Sequence, residues 1–416
     1  MKITRVLTAV IEANYDWTIV RVDTDEGISG IGEAFCAPGL TATIRDMATL
    51  VEGEDARQVE VITRKLRLAT AHAASGGGTV HHAISGIEAA LWDLNARALD
   101  VPLWRLFGGK FRDRVRIYAD CHAGEALESY SSVLVARHPS WAGLDEDETG
   151  ELHWAPAEKD GVYTPEAYAH RAREMASRGF TALKFDLDLP LMKDEDLYAR
   201  TISAEQLARQ VEIARSACEG AGPSVEVAFD CHWRYAPSDA LKLARALEDA
   251  PVLWLEDPVP PDDIVALEAV TRGTSTRIAT GENQYLVQGF AQMMERGAVD
   301  VVAPDVQKVG GLAETRRIAA LADARSLPVA PHNIAGPVGT MASVHVCASI
   351  PNFLALEWHA SSVPFFDDLV VGTDGPLIRD GYITVPDAPG IGVDLDVDRC
   401  RAYALRGEPL FGDENG

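Results

Sequence analysis

The sequence predicts an α/β protein built as a (β/α)8-type (TIM-like) barrel with an N-terminal α+β capping domain. Three observations predict it. Across residues 225–332, short apolar runs end in an acid or a histidine at a regular beat: Asp230, Glu256, Glu282, Asp305 and then His332. Helix-like segments such as 239–247 and 311–324 follow these runs, with a repeat of roughly 25 residues, the length of one strand–loop–helix unit. The chain has 416 residues, enough for a barrel and a second, smaller domain. In such barrels the catalytic groups sit at the C-terminal ends of the parallel strands.

Each element follows in order. Residues 1–114 read as the cap. Strands at 18–22 and 30–35 flank the turn Asp25-Glu26-Gly27, a hairpin pattern. Helices are expected at 41–50 and 55–68, then a loop holding Gly76-Gly77-Gly78. The helix predicted at 81–98 puts Ile84, Ile87, Leu91 and Leu94 on one face. Gly108-Gly109 stops a further short helix.

The barrel is expected over 115–364. Its first strand is 115–119, and a polar insertion at about 124–162 reads as a subunit contact or a lid. A helix at 164–178 leads to a second strand at 181–185. The third to eighth strands end near Asp230, Glu256, Glu282, Asp305, His332 and Glu357. Residues 365–416 are expected to return to the cap, through a last strand at 377–384 and the turn 386–392.

The bulk properties exclude several classes. The 63 Asp and Glu against 38 Lys and Arg give a net charge of -25, which argues against nucleic acid as a partner. An acidic shell is ordinarily a solvated surface; adaptation to high salt is the alternative. The six cysteines form no Cys-x-x-Cys pair, so reduced thiols in a cytoplasm are expected. The apolar run at 7–11 is too short for a signal peptide, and no run reaches membrane-spanning length.

The strand ends carry the chemistry. Any one acid there would be explained by helix capping or an Arg pair. Three in register, Asp230, Glu256 and Glu282, suit a hard cation: Mg²⁺, with Mn²⁺ as the alternative. Asp305 and His332 end consecutive strands, so an Asp–His hydrogen bond is natural and marks His332 as a general base. Lys184 lies on the strand beside Asp230 and can neutralise a substrate carboxylate as it becomes an enediolate. His232, two residues past Asp230, can donate a proton to a departing hydroxyl. Glu357, kept protonated by an apolar setting, could hydrogen-bond an enolate oxygen. His122 and His359 are given structural roles. A metal hydrolase is disfavoured, because it usually wants His-rich ligation.

Taken together, these motifs resemble the enolase superfamily, its mandelate racemase subgroup, and within it the acid-sugar dehydratases. The resemblance extends into the cap through Asp25-Glu26-Gly27, Gly32-Glu33, Ala89-Ala90-Leu91-Trp92-Asp93-Leu94 and Leu106-Phe107-Gly108-Gly109. It implies Mg²⁺ on Asp230, Glu256 and Glu282, proton abstraction by His332 with Asp305, and an enediolate-stabilising role for Glu357. Racemases of the subgroup carry Lys-x-Lys on the second strand, whereas this chain has Lys184-Phe185-Asp186. That pattern resembles gluconate-type dehydratases, and Asp230-Cys231-His232 resembles galactonate-type ones, in which the histidine expels the 3-hydroxyl. Mannonate dehydratases lack the Asp–His dyad and fit less well.

The implied activity is Mg²⁺-dependent conversion of a 2R-configured aldonate (gluconate, galactonate or xylonate) into a 2-keto-3-deoxy acid. The resemblance places Asn14-Tyr15-Asp16-Trp17 and the Gly76–Gly78 loop where the family's two closing loops lie. Tyr15, Trp17 and Asp186 are therefore expected to touch substrate, with cap–barrel packing as the other role for the aromatic pair. A homo-oligomer is also expected. The alternatives are a one-base epimerase, racemase or cycloisomerase, and a barrel that keeps its metal without turnover.

Overall fold

A computed structural model describes residues 1–73, 76–121, 139–142, 163–188, 199–408 and 410–412. The segment expected to be an insertion, about 124–162, and His122 lie outside the described residues, apart from 139–142.

The cap begins with an antiparallel sheet of β1 (Ile3–Glu12), β2 (Asp16–Thr24) and β3 (Ser29–Ala34), in that order. The sequence predicted only the second and third strands. The apolar run at 7–11 is part of a ten-residue strand that pairs with β2 from Ile3↔Thr24 to Glu12↔Asp16. Helices α1 (Leu40–Val51), α2 (Val59–Ala69) and α3 (Thr79–Ala98) cover the sheet, and α4 (Leu103–Leu106) leads out of the cap. Ile84, Ile87, Leu91 and Leu94 of α3 are fully buried. Each contributes roughly 1.5–3 kcal/mol by leaving water. The helix lies so close to β3 that a Cβ on Gly32 would come within 2.5 Å of the Gly86 carbonyl oxygen. Only glycine admits that approach.

The second unit is a parallel α/β array. Its strands are β4 (Arg114–Cys121), β5 (Ala182–Asp186), β6 (Glu226–Asp230), β7 (Val252–Glu256), β8 (Ile278–Thr280) and β9 (Val301–Val302), paired in that order. Isolated parallel bridges link Val302 to Val329 and Val329 to Phe353. The chain then enters β10 (Leu356–Trp358), which pairs with β4 and returns the sheet to its start. The seventh position is thin because Pro304, Pro328 and Pro331 supply no backbone N–H to a ladder.

The intervening helices are α5 (Pro165–Ser177), α6 (Ala204–Ala221), α7 (Pro237–Ala246), α8 (Ile264–Gly273), α9 (Leu286–Arg296), α10 (Leu312–Asp323) and α11 (Pro337–Ser349). Caps fix several starts: Thr164 accepts from Ala167 N on α5, and Ser203 with Gln206 forms a capping box on α6.

One buried cluster draws a residue from every strand position: Tyr118, Ala182, Ala228, Trp254, Ala279, Val301, Ala330 and Ala355. Five alanines leave room for two large rings, Tyr118 and Trp254, which meet edge to face with centroids 5.4 Å apart.

After the barrel, β11 (Val370–Val371) pairs with β14 (Asp394–Leu395), and β12 (Ile378–Arg379) with β13 (Tyr382–Thr384). Here the structure differs from the expectation. The β12–β13 hairpin pairs antiparallel with the first barrel strand, Tyr382 opposite Arg116, and not with the cap sheet. The turn expected at 386–392 does return to the cap: Gly390 bridges Pro102 and Ile391 N donates to Asp93 (2.7 Å); further on, Leu405 N donates to Val10 O, and Phe411 N to Thr8 O.

Two cap glutamates grip barrel helices. Glu33 accepts from Gly336 N (2.6 Å) and Gly339 N (2.8 Å) at the start of α11. Glu88 accepts from Leu312 N (2.8 Å) and Ala313 N (2.9 Å) at the start of α10, and from Trp92 Nε1 (2.7 Å). A carboxylate there satisfies orphan N–H groups and meets the positive end of the helix dipole. Burial nevertheless raises both carboxyls to about 7, against the opposing pull of these hydrogen bonds.

Two outcomes follow for Glu88. Glu88→Ala leaves buried donors unmatched and is expected to cost about 2–4 kcal/mol in urea unfolding. The folded carboxyl titrates near 7 and the free one near 4.5. Its contribution is therefore full below the lower value and is lost as pH rises through the upper one. Wild type should lose stability relative to Glu88→Gln as pH is raised from about 4.5 to about 7, with no further loss above that; parallel curves would reject the coupling.

Candidate active site

The register of the barrel strands assembles the site. Asp186 lies opposite Asp230, and Asp230 opposite Glu256, so three acids line up at the C-terminal ends of β5, β6 and β7. Glu282 arrives two residues beyond β8. The chain turns there at Gly281, with φ 146°, where a Cβ would come within 2.8 Å of the Phe290 ring. Asp230, Glu256 and Glu282 each present a carboxylate oxygen, and these oxygens lie within 4.8 Å of one another, all from buried residues. A second such group is Asp186, Asp188 and His232.

Lys184, fully buried, points into this acid cluster. Its Nζ stands 2.9 Å from Glu357, 3.1 Å from Asp230, 3.3 Å from Glu256 and 3.5 Å from Asp120. Burial works against the ammonium, but the carboxylates of Glu256, Glu357 and Asp230 hold its pKa well above the ordinary lysine value. The rings of the barrel floor reach the same acids from beneath: Trp254 Nε1 donates to Glu256 (2.8 Å) and Tyr118 Oη to Glu357 (3.2 Å).

His332 pairs with Asp305 through Nδ1 at 2.7 Å, and its Nε2 lies 3.0 Å from Glu282. An ionised Asp305 can only accept, so Nδ1 carries the proton and Nε2 faces the acids. Desolvation opposes an imidazolium here, but Glu282 and Glu357 push the pKa of His332 well above its usual value.

His232 and Trp233 both adopt left-handed backbone, φ 40° and 50°, with the Trp233 N–H bonded to Asp257 O at 2.6 Å. Such strain in bulky residues is typical of functional turns. The turn sets His232 Nδ1 3.1 Å from Asp188 and 4.0 Å from Asp230, with 39% of its side chain exposed. Against the cost of desolvation, Asp230, Asp188 and Asp186 hold this histidine well above its usual pKa.

Two expectations need correction. Glu357 does not sit in an apolar setting. Burial opposes its charge, but Lys184 and His332 hold its pKa well below the ordinary range, and Asn333 N donates to it at 3.0 Å. Its hydrogen-bonded neighbour Asp120 is instead raised by burial well above the usual carboxylate range. Trp17 is committed to packing: it is 3% exposed, its Nε1 donates to Ile334 O (3.0 Å), and its ring meets Phe366 edge to face. Tyr15, beside it, packs edge-on against His359 at 5.4 Å. The cavity these two line with Glu33, Phe35 and Gln307 measures about 10 Å³, room for roughly one water.

The sequence reading passed over Asp120, Trp254, Asp257, Asn283 and Lys308. Asp120 was legible, because it directly follows the predicted first strand just as Asp230 closes the third. Trp254 was masked by its place in an apolar run. His359 links the units: its carbonyl accepts from Asn14 Nδ2 (2.8 Å) and its Nε2 lies 3.4 Å from Asp120.

Eight buried carboxylates, Asp120, Asp186, Asp230, Glu256, Asp257, Glu282, Asp305 and Glu357, face two buried lysines, Lys184 and Lys308. Burial, followed by the charges of Asp230, Glu357 and Glu282, raises Glu256 to about 8 even with Lys184 beside it. A set of hard oxygen donors short of positive charge fits a hard divalent cation.

A parallel α/β barrel with acids at successive strand ends beneath an α+β cap defines a class of metal-assisted enzymes. Residues 167–399 match the enolase C-terminal domain-like family, and residues 4–108 the N-terminal domain of mandelate racemase and muconate lactonizing enzyme. The chain therefore belongs to the mandelate racemase/muconate lactonizing enzyme family of the enolase superfamily.

The D-xylonate dehydratase of Haloferax volcanii is 40% identical over 99% of this chain and 91% of its own length. The D-gluconate dehydratase of Thermoproteus tenax is 29% identical over 94% of this chain and 70% of its own. A crystal structure of a mandelate racemase/muconate lactonizing enzyme-like protein from Rubrobacter xylanophilus superposes with a TM-score of 0.88, at 40% identity over 99% of each chain. No described helix is long and apolar enough to cross a membrane.

The charge imbalance sets an expected outcome. Mg²⁺ or Mn²⁺ at about a hundredfold over its Kd should stabilise the fold by about 2.7 kcal/mol. Differential scanning calorimetry with and without a chelator reads this directly. Glu256→Gln should abolish most of the gain; an equal gain in that variant would place the ion elsewhere.

Proposed function

We propose that this chain dehydrates a sugar acid. It takes the proton α to the carboxylate of a 2R-configured aldonate, of the gluconate, galactonate or xylonate type. It then expels the 3-hydroxyl to give a 2-keto-3-deoxy acid. The observation that carries this reading is that two histidines of different character stand at the two ends of the carboxylate row. His332, in its dyad with Asp305, adjoins Glu282; His232, partly exposed and set against Asp188, adjoins Asp230. A base at one end and an acid at the other suit elimination, whereas a two-base racemase would want Lys where Asp186 stands.

Asp230, Glu256 and Glu282 would hold Mg²⁺ or Mn²⁺, which supplies Lewis-acid polarisation of the substrate carboxylate. With Asp305 on Nδ1, His332 presents Nε2 as the acceptor for the α-proton. Lys184 offsets the negative charge that then develops on the substrate carboxylate. The Asp120–Glu357 pair carries one proton to share with the same oxygens. His232 gives its proton to the departing hydroxyl, water leaves, and the enol becomes the ketone. The likeness to a D-xylonate dehydratase, at 40% identity against 29% for a D-gluconate dehydratase, supports a five-carbon aldonate as the first substrate to try.

The two histidines separate in one experiment: Mg²⁺ and D-xylonate in D₂O, followed by NMR. His332→Asn should lose both α-exchange and keto product, by about 10²–10⁴-fold. His232→Asn should lose product and keep exchange. Exchange without product in the wild type would favour a one-base epimerase or racemase. Full turnover by His332→Asn would refute the base assignment.

A further inference from the structure

Lys308 is a buried lysine, 5% exposed, that the chemistry above does not use. Among the described residues its ammonium has no carboxylate partner within 4.0 Å; its hydrogen bond goes to a neutral amide, Asn283 Oδ1, at 2.8 Å. The other side of that amide, Asn283 Nδ2, donates to Glu282 Oε1 at 2.8 Å. An ammonium only donates and a carboxylate only accepts, so the two neighbours fix which way the amide points. Glu282 is thereby held at both oxygens, by Asn283 on Oε1 and by His332 on Oε2. The same ammonium lies 4.2 Å from the centroid of the Phe35 ring, and that ring leans on the His332 imidazole at 6.2 Å.

We propose that Lys308 is a positioning residue for the third carboxylate: it orients Asn283, and Asn283 orients Glu282 toward the cation. The proposal rests on the reading that Asp230, Glu256 and Glu282 hold a divalent ion. Groups that orient metal ligands in this way typically set affinity by about 10–100-fold.

The test is Mn²⁺ titration of the full chain without substrate, read by electron paramagnetic resonance. Lys308→Met and Asn283→Ala should each weaken Mn²⁺ by about 10–100-fold. The double variant should be no weaker than the worse single one, because the two residues act in series. Lys308→Arg, which keeps a donor to Asn283, should recover most of the affinity. Unchanged or tighter Mn²⁺ binding by Lys308→Met would overturn the proposal, since tighter binding is what mere removal of a positive charge gives. Additive losses in the double variant would overturn it too. Should Lys308→Met not fold, Asn283→Ala decides alone: it lies at a partly exposed position, and unaltered affinity there removes the relay. Failure of the folded wild type to bind Mn²⁺ would instead overturn the metal reading beneath it.

Discussion

Negative charge gathered in a dry place is the constraint on which this structure depends. Carboxylates at the ends of neighbouring strands repel one another, and burial penalises each of them further. The fold meets that cost with what surrounds the mouth. Lys184 lies among four of the acids, the floor rings of Tyr118 and Trp254 donate upward to two of them, and His332 bridges Asp305 and Glu282. These groups do not exhaust the imbalance, and Glu256 stays difficult to ionise. The remaining demand is for a hard cation. The same shortage that makes the barrel a poor resting place for so many acids makes it a good site for one divalent ion.

The cap is fastened to the barrel by the same currency of charge and dipole. Glu33 and Glu88 leave the cap to sit on the first N–H groups of α11 and α10. Helix α11 directly follows the loop that carries His332, and α10 follows the loop that carries Asp305 and Lys308. Each grip therefore steadies a segment that bears site residues. Trp17 adds packing at the same junction, through its bond to Ile334 two residues past His332. Its indole has a structural task that a sequence cannot distinguish from a substrate contact, because both put an aromatic residue on the cap's inner side.

The two histidines show how differently the fold can set like side chains. Both lie among acids, yet His332 is enclosed and its Nδ1 is committed to Asp305, while His232 sits on a strained turn with part of its ring open. Glu357 shows the converse. Lys184 and His332 hold the carboxyl expected to be neutral well below the ordinary range, while burial raises its neighbour Asp120.

By itself the sequence determined the architecture and which charged residues close its strands. A beat of apolar runs closed by acids fixes which residues end strands, and a strand end in a parallel barrel is a position at the mouth. Asp230, Glu256, Glu282, Asp305, His332, Lys184 and Glu357 were legible for that reason, and α3 was legible from its apolar face. The tertiary structure alone decided which groups touch. That Lys184 meets Asp120, 64 residues earlier in the chain, or that Glu88 of the cap caps a helix beginning at Leu312, follows from how the strands and helices are brought together in space. The ionisation of Glu357, the packing role of Trp17, the pairing of the β12–β13 hairpin with the barrel and the Lys308–Asn283–Glu282 chain are all of this kind. Hydrogen bonds and charge interactions depend on distances through space, and those distances exist only once the chain has folded.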